Sequence, residues 1–304
     1  MRTLLVTGGG GFLGQHFAAE FKRAGWRVLG MGRSLPAQAG LYDENFWQVT
    51  FPSDDLCRHF QETQPDLIIH TAGTSSIAFS LQQPWEDLLQ NVVHFYHLLD
   101  QLRLSGCRAR VLQISSAAVY GQPAHFPITE ETPLNPVSPY GYHKLQAELV
   151  TREFHQLHGI PICNLRIFSA YGTGLKRQVI WELCRKALAT GQFVLEGTGL
   201  EERDFIHARD VAKAALLITE KGTFDGSAYN IAVGTSRRIN EVAACIGKFA
   251  GLSQEPRFEG RVRSGNPPVW RVEPVRLGHL GFVPTVSLEQ GLKENVEWCR
   301  SQLS

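Results

Sequence analysis

Thr3-Leu4-Leu5-Val6-Thr7-Gly8-Gly9-Gly10-Gly11-Phe12-Leu13-Gly14 is the stretch on which the reading of this chain turns. Leu4-Leu5-Val6 is a short apolar run of strand type, and a helical pattern through Phe17, Phe21 and Ala24 follows the glycines. A glycine-rich turn after a strand is by itself only a turn. Between a strand and a helix, with Gly8, Gly11 and Gly14 three residues apart, it meets the needs of a dinucleotide loop. Gly8 permits the tight turn, Gly11 lets backbone approach a pyrophosphate, and Gly14 lets helix pack on strand. The helix start at Phe12 and Leu13 then offers free N–H groups and a positive dipole end to the phosphates.

Working outward, the alternation continues. Arg27-Val28-Leu29 and Leu67-Ile68-Ile69 read as strands, Trp85 to Leu104 as a long helix, and Val111 to Ile114 as a strand. This order predicts an α/β fold, a Rossmann-type doubly wound parallel sheet with helices on both faces. The Trp85–Leu104 helix is apolar on more than one side, which favours a homodimer. After Gly172 the pattern becomes irregular. A helix from about Val179 to Ala189 precedes Gly191, Gly197 and Gly199, prolines punctuate the last third, and Ser287 and Gln290 have capping-box spacing before a final helix. The expected division is a dinucleotide-binding domain over 1–168 and 205–232, with a smaller C-terminal substrate-binding lobe over 169–204 and 233–304.

Composition narrows the class. With 304 residues, 43% of them hydrophobic and 19% charged, the chain is long enough for a sizeable core, which excludes disorder. Thirty Lys and Arg against twenty-nine Asp and Glu give no support for nucleic-acid binding. The six cysteines form no C-x-x-C pair and read as buried thiols in a reducing compartment. No apolar run approaches the length of a membrane span, so a cytoplasmic protein without a membrane partner is expected. His94/His97 and His155/His158 have helical i, i+3 spacing but no accompanying ligands, and no metal is assigned.

The end of the second strand distinguishes the cofactors. An acid there hydrogen-bonds the ribose of NAD, whereas an arginine accommodates the 2′-phosphate of NADP. Here Gly32-Arg33-Ser34 has no carboxylate, and Arg33 with Ser34 favours NADP, with NAD as the other possibility. Further on, Ser115-Ser116 follows the Val111–Ile114 strand, and Tyr140 and Lys144 lie one helical turn apart. A tyrosine is a poor base at neutrality, and a nearby ammonium favours its phenolate. Ser116 then holds the reacting oxygen.

Together these segments resemble the extended short-chain dehydrogenase/reductases, in the nucleotide-sugar epimerase, dehydratase and reductase group. The resemblance rests on T-G-G-G-G-F-L-G at 7–14, D-L-I-I-H-T-A-G at 66–73 and Asn91. It continues with S-S-A-A-V-Y-G at 115–121, S-P-Y-G-Y-H-K at 138–144, L-R-I-F-S-A-Y-G at 165–172, R-D-F-I-H-A-R-D-V-A at 203–212, Y-N-I-A at 229–232 and L-G-F-V-P at 280–284. It spans nearly the whole chain. It implies Ser116, Tyr140 and Lys144 as catalytic residues and Gly8, Gly11, Phe12, Leu13, Gly14, Arg33, Ser34 and Ala72 around the cofactor, with Tyr140 and Lys144 also touching it. Ser75, Ser76, Ser169, Arg203 and Arg263 are implied for a nucleotide-sugar substrate, the two arginines at its diphosphate.

Departures from the family pattern narrow the reaction. Dehydratases of the group carry an acid pair just after the catalytic serine. Here Ala117 and Ala118 stand there, and neither can exchange a proton. Ser169 replaces a substrate-contacting asparagine. The layout is closest to the reductases of 4-keto-6-deoxy sugar nucleotides, so the leading expectation is NADPH-dependent reduction of such a sugar, in carbohydrate biosynthesis. The alternatives are a nucleotide-sugar 4-epimerase with tightly bound NAD and a non-catalytic dinucleotide sensor, which would not need the proton-transfer set.

Overall fold

In the computed structural model, residues 1–53, 55–189, 193–260 and 268–303 are described. Strand β1 (Thr3–Thr7) leads through the glycine turn into α1 (Phe12–Arg23), then β2 (Arg27–Gly32), β3 (Trp47–Gln48), α2 (Leu56–Thr63) and β4 (Leu67–His70). Two short helices, α3 (Ile77–Gln82) and α4 (Pro84–Leu88), precede a π-helical turn over Leu89–Val93 and α5 (His94–Ser105). β5 (Arg110–Ser116), α6 (Pro139–His158), β6 (Ile162–Ile167) and β7 (Ser169–Tyr171) follow. The remainder comprises α7 (Gln178–Ala189), β8 (Val194–Leu195), β9 (Glu202–His207), α8 (Ala208–Lys221), β10 (Asp225–Ile231) and β11 (Ser236–Arg238). It ends with α9 (Ile239–Ala250), β12 (Arg257–Phe258), α10 (Val275–His279) and α11 (Leu288–Leu303).

Among the described residues a seven-stranded parallel sheet runs in the order β10-β6-β5-β4-β1-β2-β3. Strand periodicity splits the apolar residues between its two faces. Leu4, Val6, Leu67 and Ile69 meet Phe17 and Phe21 of α1 and Val211 and Ile218 of α8. Leu5 and Ile68 point the other way, toward Phe60, Phe95, Leu98, Leu102 and Phe154. Both faces are thereby covered, as a parallel sheet requires. A third cluster joins Trp181 and Cys184 of α7, Val242 and Ile246 of α9, and Leu292 and Val296 of α11.

Three sequence expectations need adjustment. The helix expected over Trp85–Leu104 begins at Pro84 and carries the π turn in its middle. Its apolar residues divide: Phe95, Leu98, Leu99 and Leu102 are buried, whereas Trp85, Val93, Tyr96 and Leu104 are exposed. The strand expected to stop at Ile114 continues through Ser116, because Ser115 and Ser116 still pair with Arg166 and Ile167. At the start of α11 only half of the capping box forms. Ser287 Oγ accepts from the Gln290 amide at 3.2 Å, but the Gln290 side chain donates to Glu294 instead. All six cysteines are free, four of them buried.

Candidate active site

Parallel strands bring their C-terminal ends to one rim, and the loops after β1, β4 and β5 meet there. Ser138 caps α6, its Oγ accepting from the Gly141 amide at 3.2 Å, with Pro139 in the first helical position. This start puts Tyr140 in the first turn and Lys144 one turn later. Ser116, the last residue of β5, accepts from the Ala118 amide at 3.2 Å and lies close enough to the Tyr140 phenol to favour its ionised form. Lys144 Nζ donates to the Ile114 carbonyl at 2.9 Å. The three residues that resemblance implied therefore converge.

Their electrostatics differ from expectation. The Lys144 ammonium lies 5.9 Å from the centre of the Tyr140 ring and bonds to backbone rather than to the phenol. Burial pushes the Tyr140 phenol up to about 12, and the Ser116 hydroxyl and the Arg177 charge only partly oppose this. Burial also pushes Lys144 down to about 8, opposed by the carboxylates of Asp87 and Glu148. By itself the site thus keeps Tyr140 protonated, ready to act as an acid. When bound, a dinucleotide supplies the hydride-carrying ring, whose oxidised form brings the positive charge that a phenolate needs.

The glycine loop fits that group. Gly8 has φ +68°, and a Cβ there would lie 2.7 Å from the Ala72 amide nitrogen, so β1 and the loop after β4 pass in direct backbone contact. A Cβ on Gly14 would meet the Gly8 carbonyl at 2.6 Å. Gly11 stands at the N-cap of α1 without a side-chain cap, and the amides of Phe12 and Leu13 find no acceptor among the described residues. Gly11 itself donates to the Gly8 carbonyl at 2.9 Å. Phe12 and Leu13 differ in role: Leu13 also packs against the core, while Phe12 sits edge-on to His16.

At the end of β2, Arg33 and Ser34 are exposed. The segment that follows is tied to α1 by Gln15, whose Oε1 accepts from the Ala37 amide at 3.2 Å. The Arg33 carbonyl accepts from Gln48, but its guanidinium has no partner among the described residues. The Arg33 charge is therefore unpaired among the described residues.

The residues implied for substrate separate. Ser75 is half-buried and accepts from Arg177 Nη2 at 2.6 Å. Ser76 is occupied as the cap of α3, its Oγ accepting from the Phe79 amide at 3.1 Å. Its O–H and second lone pair are not used by that bond. Ser169 opens β7 and is half-buried. Arg203, in β9, donates through Nη1 to the carbonyls of Glu202 and Pro268 at 2.8 and 3.2 Å, and burial lowers it to about 10. Its Nε and Nη2 have no partner among the described residues, which leaves half of the fork for an anion. Arg263 lies outside the described residues.

Arg177 was not singled out from sequence, since nothing in Lys176-Arg177-Gln178 marks spacing or a motif. The fold brings it to Ser75, and its charge reaches Tyr140. The next residue, Gln178, has φ +68°, the left-handed region that costs a non-glycine residue energy. The paired histidines serve the scaffold: His97 Nε2 contacts the Ser53 carbonyl at 3.0 Å and His155 Nδ1 the Ile160 carbonyl at 3.0 Å.

A glycine cradle at a helix N-terminus, with serine, tyrosine and lysine converging on the same sheet rim, defines a dinucleotide-dependent oxidoreductase of the extended short-chain class. The chain belongs to the NAD dependent epimerase/dehydratase family, whose sequence profile matches residues 4–232. A putative UDP-glucose 4-epimerase of Methanocaldococcus jannaschii is 28% identical, over 98% of both chains. A dTDP-glucose 4,6-dehydratase of Xanthomonas campestris is 30% identical, over 98% of this chain and 93% of the relative. Among solved structures, the UDP-glucose 4-epimerase of Thermotoga maritima with UDP-glucose superposes with a TM-score of 0.90 at 27% identity, covering all of both chains. No helix among the described residues is long and apolar enough to cross a membrane.

Proposed function

We propose that the protein is a nucleotide-sugar 4-epimerase that oxidises and re-reduces one sugar carbon with a retained NAD. The observation that carries this reading is the Ser116–Tyr140–Lys144 site flanked by Ala117 and Ala118. It provides for proton transfer at one oxygen and lacks the acid pair that elimination of water needs. That argues against the dehydratase activity named for one relative and leaves hydride exchange. The likeness to 4-epimerases over the full chain supports the choice over the reductase expected from sequence. In the proposed cycle Tyr140 takes the proton from the sugar hydroxyl and returns it after the keto sugar has turned over. Ser116 holds that oxygen throughout.

Arg203 is assigned to the substrate diphosphate on the strength of its open, half-buried fork. Arg203→Ala should raise KM about 10- to 100-fold, the value of a hydrogen-bonded charge, with a much smaller change in kcat. An unchanged KM would remove Arg203 from the binding site.

One observation favours a second reading. The guanidinium of Arg33, without a partner among the described residues and at a strand end without a carboxylate, suits a 2′-phosphate and therefore an NADPH-dependent reductase of a 4-keto sugar nucleotide. A single experiment separates the two. The purified protein is denatured, any released dinucleotide is identified by chromatography and mass, and intact protein is incubated with UDP-glucose. The epimerase reading expects near-stoichiometric NAD(H) and formation of UDP-galactose. An empty or NADP(H)-exchanging protein that oxidises NADPH only with a 4-keto sugar nucleotide supports the reductase, and absence of both activities overturns both readings. Sedimentation velocity on the same sample tests the proposed homodimer, which the exposed Trp85, Val93 and Tyr96 support.

A further inference from the structure

The segment between β2 and β3, residues 33–46, carries a buried tyrosine on which the glycine turn rests. Tyr42 packs into the core layer beneath α1 with Phe17, Phe21 and Val28. Its ring fills the space beside Gly30, where a Cβ would meet ring carbon Cδ1 at 2.6 Å. Its hydroxyl donates to the Gly9 carbonyl at 2.7 Å. The chain is fastened on both sides of it. Lys22 Nζ donates to the Gly40 carbonyl at 3.1 Å and pairs with the Asp43 carboxylate at 2.7 Å. The Asp43 amide donates to the Val28 carbonyl at 2.8 Å.

Peptide geometry carries this contact into the loop. The Gly9–Gly10 bond is trans, so its C=O and N–H point in opposite directions. With the carbonyl turned inward onto Tyr42, the Gly10 N–H is turned outward, and it has no acceptor among the described residues. Neighbouring groups of the turn are committed. The Gly9 amide donates to the Met31 carbonyl at 3.0 Å, and the Gly10 carbonyl accepts from Gln15 Nε2 at 3.1 Å. Gly10 also abuts the end of β2, since a Cβ on it would collide with the Ser34 carbonyl. It thus stands between the corner at Arg33 and Ser34 and the unpartnered amides of Phe12 and Leu13. Outward N–H groups close together in the chain make a cradle for phosphate oxygens.

We propose that Tyr42 is a positioning residue for the cofactor: by holding the Gly9 carbonyl, it presets the Gly10 N–H as a further donor to the ribose-phosphate oxygens of the dinucleotide's adenosine half. A glycine pair left free to rotate would have to be ordered on binding, and the fixed carbonyl removes that cost beforehand. Burial pushes the Tyr42 phenol up, which keeps its proton in place as the donor. The inference rests on the dinucleotide reading of the loop, not on the sugar or on the choice between NAD and NADP.

The probe is ADP-ribose, the part common to both cofactors. Retained dinucleotide is displaced by dialysis against excess ADP-ribose and then against buffer, and the Kd for ADP-ribose is measured by calorimetry. Tyr42→Phe keeps the ring beside Gly30 and removes only the hydroxyl. It should raise Kd about 3- to 10-fold, the value of one neutral hydrogen bond. Lys22→Met, which loosens the same segment without touching Gly9, should lower thermal stability and leave Kd in place. Equal Kd in wild type and Tyr42→Phe, or a Kd that follows stability in both variants, overturns the proposal. If Tyr42→Phe does not fold, hydrogen exchange of the wild type decides, resolved to single residues by mass spectrometry. ADP-ribose should slow exchange at Gly10 as well as at Phe12 and Leu13, and protection of the last two alone sinks the role given to Gly10. A wild type that does not bind ADP-ribose refutes the dinucleotide loop and the Tyr42 role together. Failure of sugar conversion with the Kd change intact counts only against the proposed epimerase.

Discussion

Tyr140→Phe should lower kcat by about 10²- to 10⁴-fold, the usual contribution of a positioned proton donor, and leave the dinucleotide bound. The phenol lies near enough to the Ser116 hydroxyl to feel it and can exchange a proton. Removing it deletes the transfer without disturbing its setting. Ser116 keeps its bond to the Ala118 amide, and the Tyr140 amide still donates to Ser80 Oγ at 3.1 Å. Phenylalanine fills the same space, so the fold should be unaffected. The measurement is turnover of the UDP-hexose that the wild type converts, alongside the dinucleotide content of the variant. A kcat within tenfold of wild type would remove Tyr140 as the acid/base, and loss of cofactor would mean that the substitution had damaged the cradle as well.

Glu148→Ala should destabilise the protein by roughly 3–5 kcal/mol, the cost of leaving a buried charge without its partner. Glu148 and Arg166 pair with side chains only 2% and 4% exposed, through contacts of 2.7, 3.0 and 3.3 Å. Ser115 Oγ donates to the same carboxylate at 2.6 Å, and Arg166 Nη1 donates to Tyr120 at 2.9 Å and to the Glu130 carbonyl at 3.3 Å. Burial alone would lower the Arg166 guanidinium, but the bonds and charge of Glu148 outweigh it and hold it well above its usual range. Without Glu148 the arginine stays buried on neutral partners. Denaturant unfolding of both proteins reads the difference, and a loss below about 1 kcal/mol would show that water or relaxation rescues the arginine. Glu148 lies one turn beyond Lys144, so activity should also fall.

Most of the nucleotide-binding half is legible in the chain. β1, the glycine turn and α1 are local features, and Gly8 and Gly14 are required by backbone contacts that recur wherever a strand enters a helix through this turn. Tyr140 and Lys144 are legible for a similar reason, since helical periodicity fixes their relation over one turn. Less was legible where a side chain chooses between local and distant partners. That Ser76 also caps α3 does not show in the pair Ser75-Ser76. Gln290 looks like half of a capping box, yet it reaches for Glu294. Arg177 carries no signal, because its significance depends on a partner 102 residues away.

By itself the sequence determined the parallel α/β architecture and the glycine turn, which follow from hydrophobic period and glycine placement, while Ser116, Tyr140 and Lys144 were singled out as a set only through the family resemblance. The tertiary structure alone decided the electrostatics: Tyr140 held protonated, Lys144 pulled down by burial, and Arg203 with Nε and Nη2 unpartnered among the described residues. The physical reason is that a charge is governed by desolvation and by neighbours within a few ångströms. Those neighbours come from α4, β5, α6 and the segment before α7, elements that only folding brings together.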